Sequence, residues 1–153
     1  MTTPTARPDL ARETAEPFAA LNQLAESCEA EALASGLPAT LLELVRLRAS
    51  QLNGCGFCLS MHTKRFREHG GPEQQLEQLA EWRDSPLFTE SFRAALQLAE
   101  SVTSLPGGRV PNEDVRVAAE HFDSAQIAHL IWAASLINTF NRLAISTTDG
   151  PPE

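Results

Sequence analysis

The stretch that most limits how this chain can fold lies near its C-terminus. From Ile127 to Ile145, apolar residues follow so closely that a helix built from them has almost no polar side. Ile127, Leu130, Ile131, Trp132, Ala134, Leu136, Ile137, Phe140, Leu143 and Ile145 point in every direction around it. Such a helix must be covered, either at the centre of the molecule or at a subunit interface. Asn138, Asn141 and Arg142 are its polar exceptions, and once buried they need partners. No apolar stretch approaches the roughly 20 residues of a membrane span. Asp123-x-x-Gln126 has the form of a capping box that would open this helix, which is predicted to run to about Ser146.

The other segments must supply the cover. None alternates as a strand does and no repeat is evident, so the periodicity predicts an all-α fold of about seven helices. The first spans Glu16 to Ala34, with Pro17 at its start and Gly36 beyond its end. Phe18, Leu21, Cys28 and Ala32 form its stripe, which makes Cys28 a small core residue. The second spans Pro38 to about Leu52, with Leu41, Leu44, Val45 and Arg48 on one stripe and Leu42 and Leu52 extending the apolar surface. The third runs from Cys55 to His69 and stops at Gly70-Gly71-Pro72. Pro72 to Trp82 reads as a short fourth helix. Thr89 caps a fifth that ends near Ser104, and Pro111 to His121 is the sixth. Residues 1–15, rich in Thr, Pro and Arg, read as a mobile arm, residues 16–147 as one domain, and 148–153 as a tail.

The net charge of -8 argues against nucleic acid as a partner, since a basic patch is the footprint of such binding. The first residues carry no apolar signal region. The reading is a soluble cytoplasmic protein that engages neither nucleic acid nor membrane. Three cysteines are too few for a disulfide framework.

Two of those cysteines carry chemistry. Cys55-x-x-Cys58 follows the turn signal Asn53-Gly54, so both fall in the first turn of a helix, where the dipole favours a thiolate. His62 is four residues beyond Cys58, over the same face, where an imidazole can take a thiol proton. Glu43, on the preceding helix, has two readings. It can orient that imidazole, or it can close a capping box with Thr40, although Pro38 suits the first helical position better. Arg46 or Arg48 could hold the carboxylate ionised, with solvated arginines as the plain alternative. Cys55, Cys58 and His62 could also be three ligands of a zinc site completed by a distant residue.

Glu43, eleven residues, Cys55, two residues, Cys58, three residues, His62 is a pattern that resembles the alkylhydroperoxidase AhpD-like branch of the carboxymuconolactone decarboxylase family. Leu47 to Cys55, Met61-His62-Thr63-Lys64, Ala80-Glu81-Trp82-Arg83 and Ile137 to Ala144 extend the likeness over most of the chain. The resemblance implies an all-helical fold that assembles into homo-trimers or homo-hexamers. It implies reduction of hydroperoxides by a cycling cysteine pair, with Glu43, Cys55, Cys58 and His62 as catalytic residues. Cys58 would attack the peroxide, Cys55 would resolve the sulfenic acid, and Glu43 and His62 would carry protons. No bound cofactor or metal is implied, only an external dithiol reductant of lipoyl-protein or thioredoxin type. One position departs: the second histidine that mycobacterial-type members place between the cysteines is Phe57 here.

Overall fold

The helix that carries Glu43 lies at the centre of the computed structural model, which describes residues 6–148. In chain order the α-helices are α1 (Leu10–Glu13), α2 (Ala15–Ala34), α3 (Ala39–Asn53), α4 (Gly56–Glu68), α5 (Glu73–Glu77), α6 (Glu90–Ser104), α7 (Asn112–Ala118) and α8 (Ser124–Thr147). Two short 3-10 turns, Leu79–Glu81 and Pro106–Gly108, complete the regular structure, and no strand occurs among the described residues. The fold is all-α, as expected.

Helix α3 is enclosed by α4, α6 and α8. Leu41, Leu42, Leu44, Val45, Leu47 and Ala49 are all buried, on every side of the helix. Full burial of each large apolar side chain is worth about 2 kcal/mol of transfer free energy. The single stripe predicted for this helix is therefore corrected: apolar contacts surround it, and Leu52 at its end is 46% exposed.

Helix α8 turns out to be the flanking element. It buries Leu130, Ala134, Leu136, Ile137 and Asn141 against α3 and α6, but leaves Ile131, Trp132 and Ile145 outside, with Trp132 47% exposed. The central place of α3 has a physical cause. Arg46 and Arg48 make α3 look amphipathic, yet both find acidic partners inside the molecule and the helix can be enclosed. Within one chain, α8 keeps an uncovered apolar face.

Leu41, Leu42, Val45, Leu98, Leu130 and Ala134 form one core region, and Leu44, Leu47, Phe66, Trp82, Phe88 and Leu96 a second. A third, smaller cluster of Ala49, Cys55, Cys58 and Ile137 has Phe140 and Ala144 at its edge. The cysteine pair thus belongs to the packing between α3, α4 and α8.

Several predicted ends hold to the atom. Asp123 and Gln126 make both bonds of the capping box, and the Thr89 side chain accepts the Phe92 N–H. Pro38 is the N-cap of α3 rather than its first residue. The predicted fourth helix breaks into α5 and a 3-10 turn, and the sixth stops at Ala118. Inside the segment read as an arm, Asp9 caps α1, which packs on α2, and Arg7 donates to the Ser146 carbonyl at 3.2 Å. Residues 1–5 and 149–153, the outer part of that arm and most of the tail, lie outside the described residues. Among the described residues no helix is long and apolar enough to cross a membrane.

Candidate active site

The site begins at the corner between α3 and α4. Gly54 ends α3 in the left-handed region, at φ 67°, which costs a glycine little. Cys55 is the N-cap of α4, and its Sγ accepts the N–H of Cys58 at 3.4 Å. The two cysteines form a disulfide, with Cα atoms 5.4 Å apart, and each residue is only 2% exposed. Once reduced, both sulfurs lie in the first turn, where backbone N–H groups and the helix dipole favour a thiolate. Neutral side chains hold the corner. Asn53 Nδ2 donates to Asn138 Oδ1 at 2.8 Å and to Asn141 Oδ1 at 2.9 Å, and Asn141 Nδ2 donates to Ser50 Oγ at 3.0 Å. Asn138 and Asn141 of α8 thereby find the partners their burial requires, and Arg142 stays exposed and donates to Asn138 Oδ1 at 3.0 Å.

One turn beyond Cys58 stands His62, 4% exposed. Its Nδ1 lies 2.6 Å from Glu43 Oε2. The other carboxylate oxygen, Oε1, accepts from Arg46 Nη1 at 2.6 Å and lies 3.4 Å from Arg65 Nε. Arg65 in turn donates twice to Glu29, at 2.7 and 2.8 Å, and Arg46 lies 3.5 Å from the same carboxylate. Burial alone would push the Glu43 carboxyl up. The His62 hydrogen bond and the charges of Arg46, His62 and Arg65 outweigh it and hold the group below the ordinary carboxylate value. An ionised carboxylate only accepts, so Nδ1 of His62 carries the hydrogen and a neutral ring keeps Nε2 as a proton acceptor.

This arrangement decides among the sequence readings of Glu43 and its neighbours. The Glu43 carboxylate meets His62 and two arginines, not the backbone at the helix start. Arg46 is the arginine that holds it; Arg48 bonds Glu100 at 2.7 Å and Gln51 at 2.8 Å. Glu29 joins the network without any local signal in the sequence, because α2 meets α4 only through the fold, whereas Arg65 continues the face of His62 at i+3. Cys28 is half-buried rather than in the core, and burial together with the negative Glu31 pushes its thiol up, away from the reactive thiolate.

The zinc set does not assemble, since the Cys55 and Cys58 sulfurs are bonded to each other. Among the described residues, Glu29, Glu43 and His69 are the group of three whose ligand atoms lie within 4.8 Å of one another. Arg46 and Arg65 already occupy its carboxylates.

Two cavities flank α4. One, of about 220 Å³, is lined by His62, Arg46, Arg65 and Glu29, with Cys28 and His129 at its side. The other, of about 460 Å³, is mainly apolar and is lined by Cys58, Phe57, Leu143 and the segment from Arg7 to Ala11. Met61 and Phe140 line both and stand between them. Cys55 lines neither. Phe57 is 66% exposed at the mouth of the apolar chamber and offers no group for proton transfer there.

Comparison with known proteins places this geometry. A model of the carboxymuconolactone decarboxylase family matches residues 16–101, the span that holds Glu43, Cys55, Cys58 and His62. The uncharacterized protein YdfG of Bacillus subtilis (strain 168) is 38% identical over 112 residues, 73% of this chain and 76% of that protein. The uncharacterized YnjA of Escherichia coli (strain K12) is 33% identical over 104 residues, 68% of this chain and 57% of its own length. A crystal structure from Agrobacterium tumefaciens, of a protein of unknown function suggested to be the antioxidant defence protein AhpD, is similar with a TM-score of 0.84. It is 34% identical in sequence, and the match covers 97% of this chain and 100% of that one. An uncharacterized peroxidase-related protein from a Silicibacter species shares the fold at a TM-score of 0.75 and 22% identity, over 91% of this chain and 72% of that one. This chain therefore belongs to the carboxymuconolactone decarboxylase family and has the AhpD-like helical fold.

Proposed function

We propose that the protein is a thiol-dependent hydroperoxide reductase. The observation that carries the reading is the cysteine pair at the start of α4, one turn from an imidazole whose Nδ1 is held 2.6 Å from a buried carboxylate. In the reduced protein His62 takes the Cys58 proton at Nε2. The thiolate attacks the terminal oxygen of R–O–O–H, and the O–O bond breaks. Cys58 becomes a sulfenic acid, oxidised by two electrons, while the alkoxide leaves and takes a proton from His62 as the alcohol. Cys55 then attacks the sulfenic sulfur, water leaves, and the Cys55–Cys58 disulfide forms. An external dithiol returns two electrons and two protons. Glu43 keeps the imidazole in the working tautomer and stabilises it while it holds the extra proton.

The assignment of attack to Cys58 is supported by its place on the apolar chamber, which Cys55 does not reach. The burial of both sulfurs favours a small peroxide over a bulky protein disulfide as substrate. It also favours a reductant that presents a slender dithiol, such as a lipoyl arm. The uncovered face of α8, around Trp132 and Ile145, suits the homo-oligomer that the resemblance implies.

The test is consumption of cumene hydroperoxide with dihydrolipoamide as the donor. The wild-type protein should turn over and Cys58→Ser should not; equal rates for the two would overturn the reading.

A further inference from the structure

The segment that precedes α2 lies over the cysteine site. From Ala6 to Glu13 each residue is exposed except Leu10, the single half-buried side chain of this strap. Its course is set by local bonds. Asp9 accepts the Arg12 N–H at 3.2 Å and caps α1, and Thr14 Oγ1 donates to the Leu10 carbonyl at 2.9 Å. Arg7 reaches the Ser146 carbonyl at the end of α8, at 3.2 Å, and so ties the strap across to the opposite wall. Between the strap, α4 and α8 lies the chamber of about 460 Å³. Cys58 is at its floor, Phe57 and Met61 line it from α4, and Phe140 and Leu143 line it from α8.

A hydroperoxide whose terminal oxygen meets the Cys58 sulfur must direct its organic group into this space. Hydrogen peroxide has no such group and gains nothing from the walls. Only a peroxide with a bulky apolar body can remove Leu10, Phe57 and Leu143 from water together. A chamber of this size matches a small organic molecule and far exceeds a water-sized oxidant.

We infer that the N-terminal strap, through Leu10, is a specificity-determining wall that selects hydroperoxides with a bulky apolar body; the inference rests on the peroxidase reading above. The strap contributes no side chain to the Glu43–His62 network, so it acts on which substrate is bound and leaves the proton path to α3 and α4. Nothing in the local sequence marks it, because the segment reads as an arm until the fold lays it beside Cys58.

Two pairs of probes test this on the full-length chain. The first pair is cumene hydroperoxide and hydrogen peroxide, compared by the ratio of their kcat/KM values. Leu10→Ala should lower that ratio about fivefold, the discrimination a few methylene contacts supply, and Leu10→Ser should lower it further. A ratio unchanged in both variants overturns the inference. The second pair, maleimide and N-phenylmaleimide, shares one reactive group and needs no peroxidase activity. In a Cys55→Ser background, peptide mass spectrometry reads alkylation of Cys58 itself. The preference for N-phenylmaleimide should fall with Leu10→Ala. A preference that stays the same, or that rises because the strap obstructs instead of gripping, overturns the inference. Absence of turnover with either peroxide would sink the peroxidase reading, and the maleimide pair would still decide the role of the strap.

Discussion

The two sides of α4 differ in chemistry although they are one helical turn apart. On the His62 side five ionisable groups pair with one another: Glu43 with His62, Arg46 and Arg65, and Glu29 with both arginines. On the Cys58 side the walls are mainly apolar, and Phe57 occupies a position where a second proton carrier could have stood. Met61 and Phe140 keep the two spaces apart. On the proposed function, the contrast assigns proton handling and substrate contact to different walls of one site. One rests on fixed charges whose desolvation is offset by several partners. The other rests on surface area, which tolerates variation in the ligand.

Substitution of the sulfurs gives the largest expected effect. Cys58→Ser should reduce peroxide turnover about a thousandfold or more, to the level of buffer, whereas Cys55→Ser should keep one oxidation event per chain. Dimedone should then label Cys58 in Cys55→Ser. Labelling of Cys55 in Cys58→Ser would reverse the roles and move the attacking group away from the apolar chamber.

Next in size is Glu43→Gln. Loss of the orienting charge should cut kcat/KM about a hundredfold, and the arginines left without their partner should lower stability by about 3 kcal/mol. The pH dependence gives this prediction its sign. The Glu43 carboxyl sits lower in the folded chain than its ordinary value of 4.5. Its contribution is therefore complete above that value and is lost as pH falls through the folded one. Urea unfolding between pH 6 and 3 should show a steep acid limb in the wild type and a shallower one in Glu43→Gln. Equal limbs would mean that the carboxylate is not held ionised by its neighbours.

Glu29→Gln should act more weakly, about fivefold on kcat/KM, because it loosens Arg46 and Arg65 without touching the imidazole. Its effect should be the same for large and small peroxides. An effect confined to bulky substrates would show that the two spaces are not independent. Phe57→Ala is the converse and the smallest. At 66% exposure the ring has little area left to lose, so selectivity for cumene hydroperoxide over hydrogen peroxide should drop about twofold.

The parts of the site that were legible in advance are those with chemically specific residues at fixed helical spacing. Cys58 and His62 lie on one helix, so their mutual placement follows from 3.6 residues per turn, and Cys55 is its N-cap, three residues before Cys58. Helix caps at Asp123 and Thr89 were legible for the same local reason. Arg65 continues the face of His62, but Glu29 was not legible, since its pairing with Arg65 spans α2 and α4 and leaves no periodic trace. The central place of α3 was not legible, because solvated arginines were the plain reading of Arg46 and Arg48. Arg46 and Arg48 are only 11% and 13% exposed, each against a carboxylate, and with that neutralisation a helix carrying two arginines became the centre. The strap was read as an arm because its one informative side chain, Leu10, belongs to no stripe.

The asparagine corner has a consequence for the catalytic cycle. Asn53, Asn138, Asn141 and Ser50 carry no charge at any physiological acidity and hold no electrons to exchange. Their bonds are therefore indifferent to whether the neighbouring sulfurs are joined or apart. If the proposed cycle operates, the corner on which α4 begins is expected to keep its place while the sulfurs join and part.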